Sequence, residues 1–419
     1  MPRQPRTRPH RFATPLLSVL AILGIVLMVA TFQLHRPSAP HDHPAPAGPA
    51  ALDIPEPPGP PPPGAGWSDW TPPARALLWT DPLHDPHRIA RALSRAIDAV
   101  PTGGYIKVET FFLDSSFTTA ALRAAYERGV NVQIIVTGWQ HRRYQDENEL
   151  ARLLGTDRSR PSWLHWSKGS SRGGAGTTVD HDKVWRFSQV GHRRWVTVVG
   201  SYNNSDRADG RAYALALAVA DRAIYDRFEQ MWLQSRADRP VAHPTRSFRS
   251  PGWEAYWLPG ERLTPSADPA VQRLRAIPAR RGTVMHIRMY SMYGVRGTYV
   301  ADQLVRMARR GVRIAFIAGP TVAWPLQQRM RAAGIDVQGG CWRDGTFDHA
   351  KDMSASWMHR GHRVYWTWVG SDNWTDDNYL RSDQVELGLE GPDLYREFNR
   401  VFATIARRPD VPPWQCPAS

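Results

Sequence analysis

Cysteine is scarce in this sequence of 419 residues, and acidic residues are fewer than basic ones. Two cysteines, Cys341 and Cys416, cannot build a disulfide-dense scaffold or a Cys-rich zinc module. Asp and Glu number 39 against 53 Lys and Arg, so the formal net charge is +14. This excess favours partners that carry phosphate, such as nucleic acid, anionic lipid or wall polymer, without choosing among them. With 42% hydrophobic and 22% charged residues, the chain has enough apolar material for a large core.

The first 34 residues have the pattern of a membrane-targeting segment. Residues 1–12 contain four arginines and no acid, and residues 13–34 contain no charged residue. A helix over 13–34 would be about 33 Å long, which is enough to cross a hydrocarbon layer of ~30 Å. The arginines in front of it predict a cytoplasmic N-terminus and an extracytoplasmic remainder. We favour a retained single-pass anchor in the cell membrane; a cleaved signal peptide, which would leave a secreted protein, is the alternative.

Proline is concentrated directly after this segment. Residues 35–66 hold 12 of the 36 prolines of the chain. Such a stretch stays extended and cannot pack a core, so it is expected to be a disordered spacer between the membrane and the rest of the protein. We place the first globular half at 67–248 and the second at 249–419.

An internal repeat defines these two halves. A β-type run, a helical run and another apolar run stand at 105–112, 118–128 and 130–136, and they recur at 284–290, 298–310 and 312–318. In each copy a glycine, Gly129 or Gly311, follows the helical run, where it can close a helix in the left-handed conformation. Alternating strands and helices predict an α/β fold with largely parallel sheets. The repeat predicts two such units that face each other across a pseudo-twofold axis.

Each half also carries a His-x-Lys sequence that is followed by Gly-Ser-x-Asn. The candidate site residues from these motifs are His181, Lys183, Ser201 and Asn203 in the first half and His349, Lys351, Ser371 and Asn373 in the second. A His and a Lys two residues apart on a strand point to the same face. One His-x-Lys could occur by chance on a surface strand. Two copies with matching spacing indicate a single site to which both halves contribute.

These residue types suit chemistry at phosphorus. Lysine ammonium groups, Asn amides and Ser hydroxyls can hold phosphoryl oxygens and stabilise the charge of the transition state. A neutral imidazole can attack phosphorus and form a phosphohistidine. The other imidazole, when protonated, can give its proton to the leaving alkoxide and then activate water. Lysine is not a metal ligand and no cluster of carboxylates stands beside the motifs in sequence, so we expect neither a metal nor a cofactor.

With these duplicated motifs, the chain resembles the phospholipase D superfamily from Trp67 to its C-terminus. The resemblance implies one active site between two αβα sandwich halves. It also implies that His181 is the nucleophile and His349 the general acid.

The sequence departs from the family pattern at two places. Ser188 and Ser356 stand where the family usually has an Asp, five residues after the Lys. The family often has an acidic residue that orients a catalytic His; Glu386 is the candidate here, whereas Ala216 stands at the equivalent place of the first half. We therefore expect Glu386 to support the site, with a structural salt bridge as its alternative role.

We expect a phospholipase D-type enzyme that acts on the head group of a glycerophospholipid, because an exported domain on a short tether meets lipid first. The first alternative is an exported nuclease, which the net charge and the aromatic content favour. The second is a catalytically silent protein that binds polyanions. In an oxidising compartment Cys341 and Cys416 could form a disulfide, and two unpaired thiols are the alternative. The sequence predicts no oligomeric state.

Overall fold

Two mixed β-sheets form the framework of the described part of the chain, which the computed structural model gives as residues 68, 70–138, 144–173 and 177–409. Within this part, no helix has the length and apolar character that a membrane crossing requires. The predicted tail, anchor and spacer at 1–12, 13–34 and 35–66 lie outside the described residues. Cys416 lies outside them as well, so its pairing with Cys341 stays a prediction.

The first half alternates strands and helices along the chain. Its elements are β1 (Arg75–Trp79), α1 (Arg88–Asp98), β2 (Tyr105–Thr110), α2 (Ser116–Glu127), β3 (Asn131–Thr137), α3 (Gln145–Leu154), β4 (Trp163–Ser167), β5 (Val179–Asp180), β6 (Lys183–Val190), β7 (Arg193–Gly200), α4 (Asp206–Asp209), β8 (Ala212–Tyr213), β9 (Leu215–Ala220) and α5 (Arg222–Ala237).

The second half repeats this succession after one additional strand. Its elements are β10 (Arg246–Ser250), β11 (Trp253–Leu258), α6 (Pro269–Ala276), β12 (Val284–Met292), α7 (Gly294–Arg309), β13 (Arg313–Val322), α8 (Trp324–Ala332), β14 (Asp336–Gly339), β15 (Phe347–Asp348), β16 (Lys351–His359), β17 (His362–Gly370), α9 (Asp376–Arg381), β18 (Ser382–Glu390) and α10 (Pro392–Ala406).

The strand order of the two sheets shows the duplication directly. The first sheet has the order β1-β9-β7-β6-β2-β3-β4, and the second continues from β10 in the equivalent order β11-β18-β17-β16-β12-β13-β14. Strand β10 lies at the edge of the second sheet and pairs with β11. The boundary that we placed between residues 248 and 249 therefore falls inside a strand, and β10 belongs to the second sheet.

The expectation of largely parallel sheets is wrong. Among the long strands that the structure describes, only β2, β3 and β4 run parallel in the first sheet, and only β12, β13 and β14 in the second. The two-residue strand β5 also pairs parallel with β18. The other neighbours are antiparallel because β6 and β7, like β16 and β17, are joined as hairpins and the next long strand returns beside them. These hairpins carry the residues between each Lys and the following Asn.

The glycine signals of the repeat correspond to real helix ends. Gly129 follows the last turn after α2 with a φ of 85°, and Gly311 follows α7 with a φ of 92°. A residue with a Cβ atom is strained at such angles, so glycine ends both helices before the next strand begins.

Three clusters of buried apolar side chains hold the molecule together. One joins the first sheet to α1, α2 and α3, and a second joins the other sheet to α6, α7 and α8. The third takes residues from both sheets and from α5 and α10, including Phe228 and Trp257, whose ring centroids are 4.7 Å apart. The two halves therefore share one of their hydrophobic cores.

Candidate active site

The two His-x-Lys motifs meet because each is attached to the opposite half. The short strand β5, just before His181, pairs with the start of β18 in the second half. In the same way β15, just before His349, pairs with β8 in the first half. The backbone amides of the two histidines donate to the carbonyl groups of Asp383 and Tyr213, at 3.1 and 3.0 Å. This reciprocal pairing sets both imidazoles at the junction between the halves.

Each imidazole is also oriented by the other half. Nδ1 of His349 lies 3.1 Å from the carbonyl oxygen of Ser201, and Nδ1 of His181 lies 2.8 Å from Oε1 of Gln384. The carbonyl of Ser371 also accepts a hydrogen bond from His181. Since these oxygens only accept, Nδ1 carries the hydrogen in both rings. The lone pair of each neutral imidazole is therefore on Nε2, where it is available to a substrate.

The two lysines and two aromatic rings complete an equivalent pair of walls. Each ammonium group donates to the carbonyl of the histidine two residues earlier, at 2.8 Å for Lys183 and 2.6 Å for Lys351. Phe111 lies 5.2 Å from the Lys183 ammonium and 5.0 Å from the His181 ring. Tyr290 takes the same place in the second half, 4.6 Å from both the Lys351 ammonium and the His349 ring. Neither aromatic residue is among the site residues predicted from the sequence.

Burial and mutual repulsion lower the pKa values of these basic groups. Desolvation lowers the pKa of His181 and of His349 well below the usual range, and the charges of Lys183 and Lys351 lower both further. The pKa of Lys183 falls to about 7, chiefly through burial. Burial also lowers the pKa of Lys351 strongly, with a further contribution from the Lys183 charge. These surroundings favour neutral imidazoles until an anion binds beside them.

The serines of Gly-Ser-x-Asn hold the strand ends together. The hydroxyl of Ser201 accepts from the Leu215 amide at 3.0 Å, and that of Ser371 accepts from the Val385 amide at the same distance. Both serine side chains thus stabilise the backbone of the next strand. The carboxamide oxygens of Asn203 and Asn373 accept no hydrogen bond within the described part of the chain.

Glu386 does not have the place that we expected for it. Its carboxylate pairs with Arg273 and accepts from the hydroxyl of Tyr256 at 3.1 Å. The residue beside His181 is Gln384, two positions earlier on β18. Two residues along a strand are about 7 Å, so a side chain at 386 on the same face lies one step too far from the imidazole. The alternative of a structural salt bridge matches this geometry.

The two serines that replace the family Asp have structural contacts. The hydroxyl of Ser188 accepts from the amide of Tyr105 at 2.9 Å, so it joins β6 to β2. The hydroxyl of Ser356 lies 3.1 Å from that of Tyr395.

A cluster of carboxylates lies behind the first motif, contrary to our expectation from the sequence. One oxygen of each of Glu109, Asp180 and Asp182 lies within 4.8 Å of the others, and all three side chains are buried. Burial raises the pKa of each of the three carboxyl groups, and repulsion from the nearby Asp383 carboxylate adds to it in all three. Because alternate residues of a strand point to opposite faces, this cluster lies away from the face that carries His181 and Lys183.

Comparison with known proteins supports the same family as the motifs. Residues 99–234 match the family model described as cardiolipin synthase, PLD-like domain. A comparison with curated protein sequences finds no match. Among solved structures, phosphatidylserine synthase of Haemophilus influenzae has a TM-score of 0.54 at 10% identity, covering 80% of this chain and 86% of the synthase.

Two further solved structures are similar only over part of one partner in the comparison. Polyphosphate kinase of Porphyromonas gingivalis has a TM-score of 0.52 at 17% identity over 80% of this chain, which spans only 50% of the kinase. Nuc of Salmonella typhimurium, a phospholipase D family member, has a TM-score of 0.31 at 18% identity, covering 42% of this chain and 98% of Nuc. The family model covers the first motif, the synthase has the fold of both halves, and both motifs meet at the junction. Residues 99–234 therefore match a phospholipase D-like domain, and the second half repeats its motif and its strand order.

Proposed function

We propose that this protein is a phosphodiesterase that acts on the head group of a glycerophospholipid through a phosphohistidine intermediate. The observation that carries the proposal is the reciprocal attachment of His181 and His349, each of which is oriented by the opposite half. Two imidazoles with free Nε2 atoms and two ammonium groups suit a phosphodiester that lies between them.

The proposed reaction has two steps. Nε2 of His181 attacks phosphorus, and the bond from phosphorus to the leaving oxygen breaks while His349 donates a proton to that oxygen. His349 then removes a proton from water, which attacks the phosphohistidine and releases a phosphomonoester and neutral His181. An alcohol in place of water would accept the phosphatidyl group from His181 and give a phosphodiester with a new head group. Lys183, Lys351, Asn203 and Asn373 would stabilise the phosphoryl oxygens in both steps.

Two observations support a lipid as the substrate. The matching family model is described as cardiolipin synthase, and the sequence predicts a membrane anchor at 13–34. The anchor would place the site beside a lipid surface from the start. An exported nuclease remains the alternative that the net charge of +14 favours.

One experiment separates the substrate classes. The full chain, purified in detergent with EDTA, is offered phosphatidylcholine vesicles and a single-stranded oligonucleotide in one tube, with the His349→Ala variant as control. We expect free choline, an intact oligonucleotide, and loss of choline release in the variant. Oligonucleotide cleavage with intact lipid would assign the site to a nuclease. If neither substrate is cleaved and the variant binds oligonucleotide like the wild type, the chain is a silent polyanion-binding protein.

A further inference from the structure

The buried carboxylates behind the first motif lack the partners that such groups need. We define the acidic cluster as Glu109, Asp180 and Asp182, whose exposed fractions are 4, 0 and 2%. The oxygens Oε1 of Glu109 and Oδ1 of Asp182 accept no hydrogen bond from the described residues. A buried ionised carboxylate is costly unless a cation or several donors compensate it. Two of the three acids therefore have an open coordination position in the interior.

The donors near the acidic cluster compensate it only in part, and Glu109 accepts a hydrogen bond from the Ser235 hydroxyl. Asp180 accepts from the Ser171 hydroxyl at 2.7 Å and from the Asp182 amide at 3.2 Å. The charge of Arg172 opposes the raised pKa of Asp182, but its NH2 group donates to backbone carbonyls and its Nε lies 3.6 Å from Asp383. Its Nε and NH1 groups have no hydrogen-bond partner among the described residues. Asp383 itself adds a fourth carboxylate, and its Oδ1 has no hydrogen-bond partner among the described residues. Four carboxylates thus face two cations, Arg172 and Lys183.

In the second half, a positive charge compensates the carboxylates at the equivalent position of the repeat. In register, Glu109 of β2 pairs with Val184 next to Lys183, and Arg288 of β12 pairs with Asp352 next to Lys351. Glu109 and Arg288 are therefore equivalent positions. The Arg288 guanidinium donates to both oxygens of Asp348, at 2.6 and 3.0 Å, and lies 3.7 Å from Asp352. Where the second half has an internal cation, the first half has another acid.

We infer that the acidic cluster binds a divalent cation, preferentially Ca²⁺, which takes the place that the Arg288 guanidinium has in the second half. Carboxylate oxygens are the ligands that Ca²⁺ prefers, at about 2.3–2.6 Å, so two of them on one ion can lie nearly 5 Å apart. The cluster oxygens lie within 4.8 Å of one another, so one ion can reach all three. Mg²⁺ gives up its bound waters reluctantly, so a buried site made of carboxylates favours Ca²⁺.

The ion would position the first motif without touching the substrate. Asp180 and Asp182 flank His181 in the chain, so a cation that joins them to Glu109 on β2 fixes the segment between β5 and β6. In the second half, the pair of Arg288 and Asp348 does the same for His349. The inference concerns binding and stability, and it does not depend on which phosphodiester the protein cleaves.

The test measures cation binding on the full chain in detergent. Because the oxygens are buried, the protein is held in EDTA for days and then freed of chelator. Radioactive Ca²⁺ is measured by equilibrium dialysis, and the melting temperature is measured with and without CaCl₂ or MgCl₂. We expect one Ca²⁺ per chain and a rise of about 5 °C at saturation, with a smaller rise in Mg²⁺.

Three variants make the result decisive. Glu109→Gln should lose Ca²⁺ binding and the thermal shift. Glu109→Arg, which copies the second half, should lose both as well but melt near the Ca²⁺-loaded wild type. Glu149 forms an ion pair with Arg123 at the surface, so Glu149→Gln is a matched control. This variant should keep both Ca²⁺ binding and the thermal shift. If the wild type binds no Ca²⁺, or if both substitutions at 109 leave one bound ion, the inference is overturned. Since no phosphodiester is used, this outcome is independent of the proposed function.

Discussion

At the scale of single residues, the two histidines have equivalent neighbours, so their different roles must be tested by chemistry. Each carries its hydrogen on Nδ1 and has Nε2 free, and each has an ammonium group and an aromatic ring beside it. The main difference is the extra contact of His181 with Gln384. The assignment of His181 as nucleophile comes from the family resemblance.

A leaving group that needs no proton separates the roles. With a p-nitrophenyl phosphodiester, His349→Ala should release about one equivalent of p-nitrophenol in a burst, because His181 can still form the phosphohistidine but no base activates water. With an alkyl leaving group the same variant should lose on the order of 10³-fold in kcat. Stopped-flow absorbance measures the burst. His181→Ala should show no burst with either substrate; a burst in that variant alone would reverse the two roles.

The pH dependence follows from the lowered pKa of His349. Burial comes first among its causes, followed by the charges of Lys351 and Lys183, so the free imidazole loses its proton below its usual range. As a general acid it must be protonated, so kcat/KM should fall as the pH rises through this lowered pKa. A bound phosphodiester anion stabilises the imidazolium, so the decline of kcat should lie at a higher pH. Profiles of kcat and kcat/KM from pH 5 to 9 test this separation. If both quantities declined at the same pH, the prediction would be contradicted.

At the scale of elements, the ends of the hairpins need glycine for close packing. A Cβ atom at Gly200 would clash with the carbonyl oxygen of Leu215 in the neighbouring strand. Gly200→Ala should therefore push β7 from β9 and cost about 1–3 kcal/mol in the free energy of unfolding. Thermal or urea unfolding measures the loss. Gly210→Ala, where a Cβ atom meets nothing within 4 Å, is the matched control and should change stability by less than about 0.5 kcal/mol. Equal losses in the two variants would contradict the packing argument.

The repeat of elements was predictable because its signals are local. The apolar runs, the closing glycines and the duplicated motifs all lie within short stretches of sequence, and each corresponds to an observed strand, helix end or junction. Strand direction was predicted wrongly, because every residue of β6 from Lys183 to Val190 is buried. A strand buried on both faces shows no alternation that would distinguish parallel from antiparallel neighbours.

The contacts that the sequence did not reveal are all between distant segments. Gln384 and Glu386 lie on the same face of β18. The pairing of β5 with the start of that strand decides which of the two side chains forms a hydrogen bond with His181. Glu109 is separated from Asp180 by 71 residues, and nothing in either local sequence links the two. The same limit applies to Arg288 and Asp348. Such pairings require the register of the sheets, which a single sequence does not contain.

At the scale of the whole molecule, the shared core and the exchanged strands make the two halves dependent on each other. Phe228 of the first half packs on Trp257 of the second, and β5 and β15 each pair with the opposite half. Neither half can complete its histidine contacts alone. Folding of the globular part should therefore be cooperative, although its length is that of two domains.

Matched substitutions test this cooperativity in the full chain. Phe187 and Phe316 are fully buried in the separate cores of the first and second halves, and Phe228 is buried in the shared core. Alanine at any of them should remove about 3–5 kcal/mol and lower the same single urea transition. Tryptophan fluorescence, far-UV circular dichroism and phosphodiesterase activity should give one midpoint in each variant. Independent halves would instead show two transitions, with Phe187→Ala and Phe316→Ala each moving a different one, because a defect in one core would then leave the other half folded.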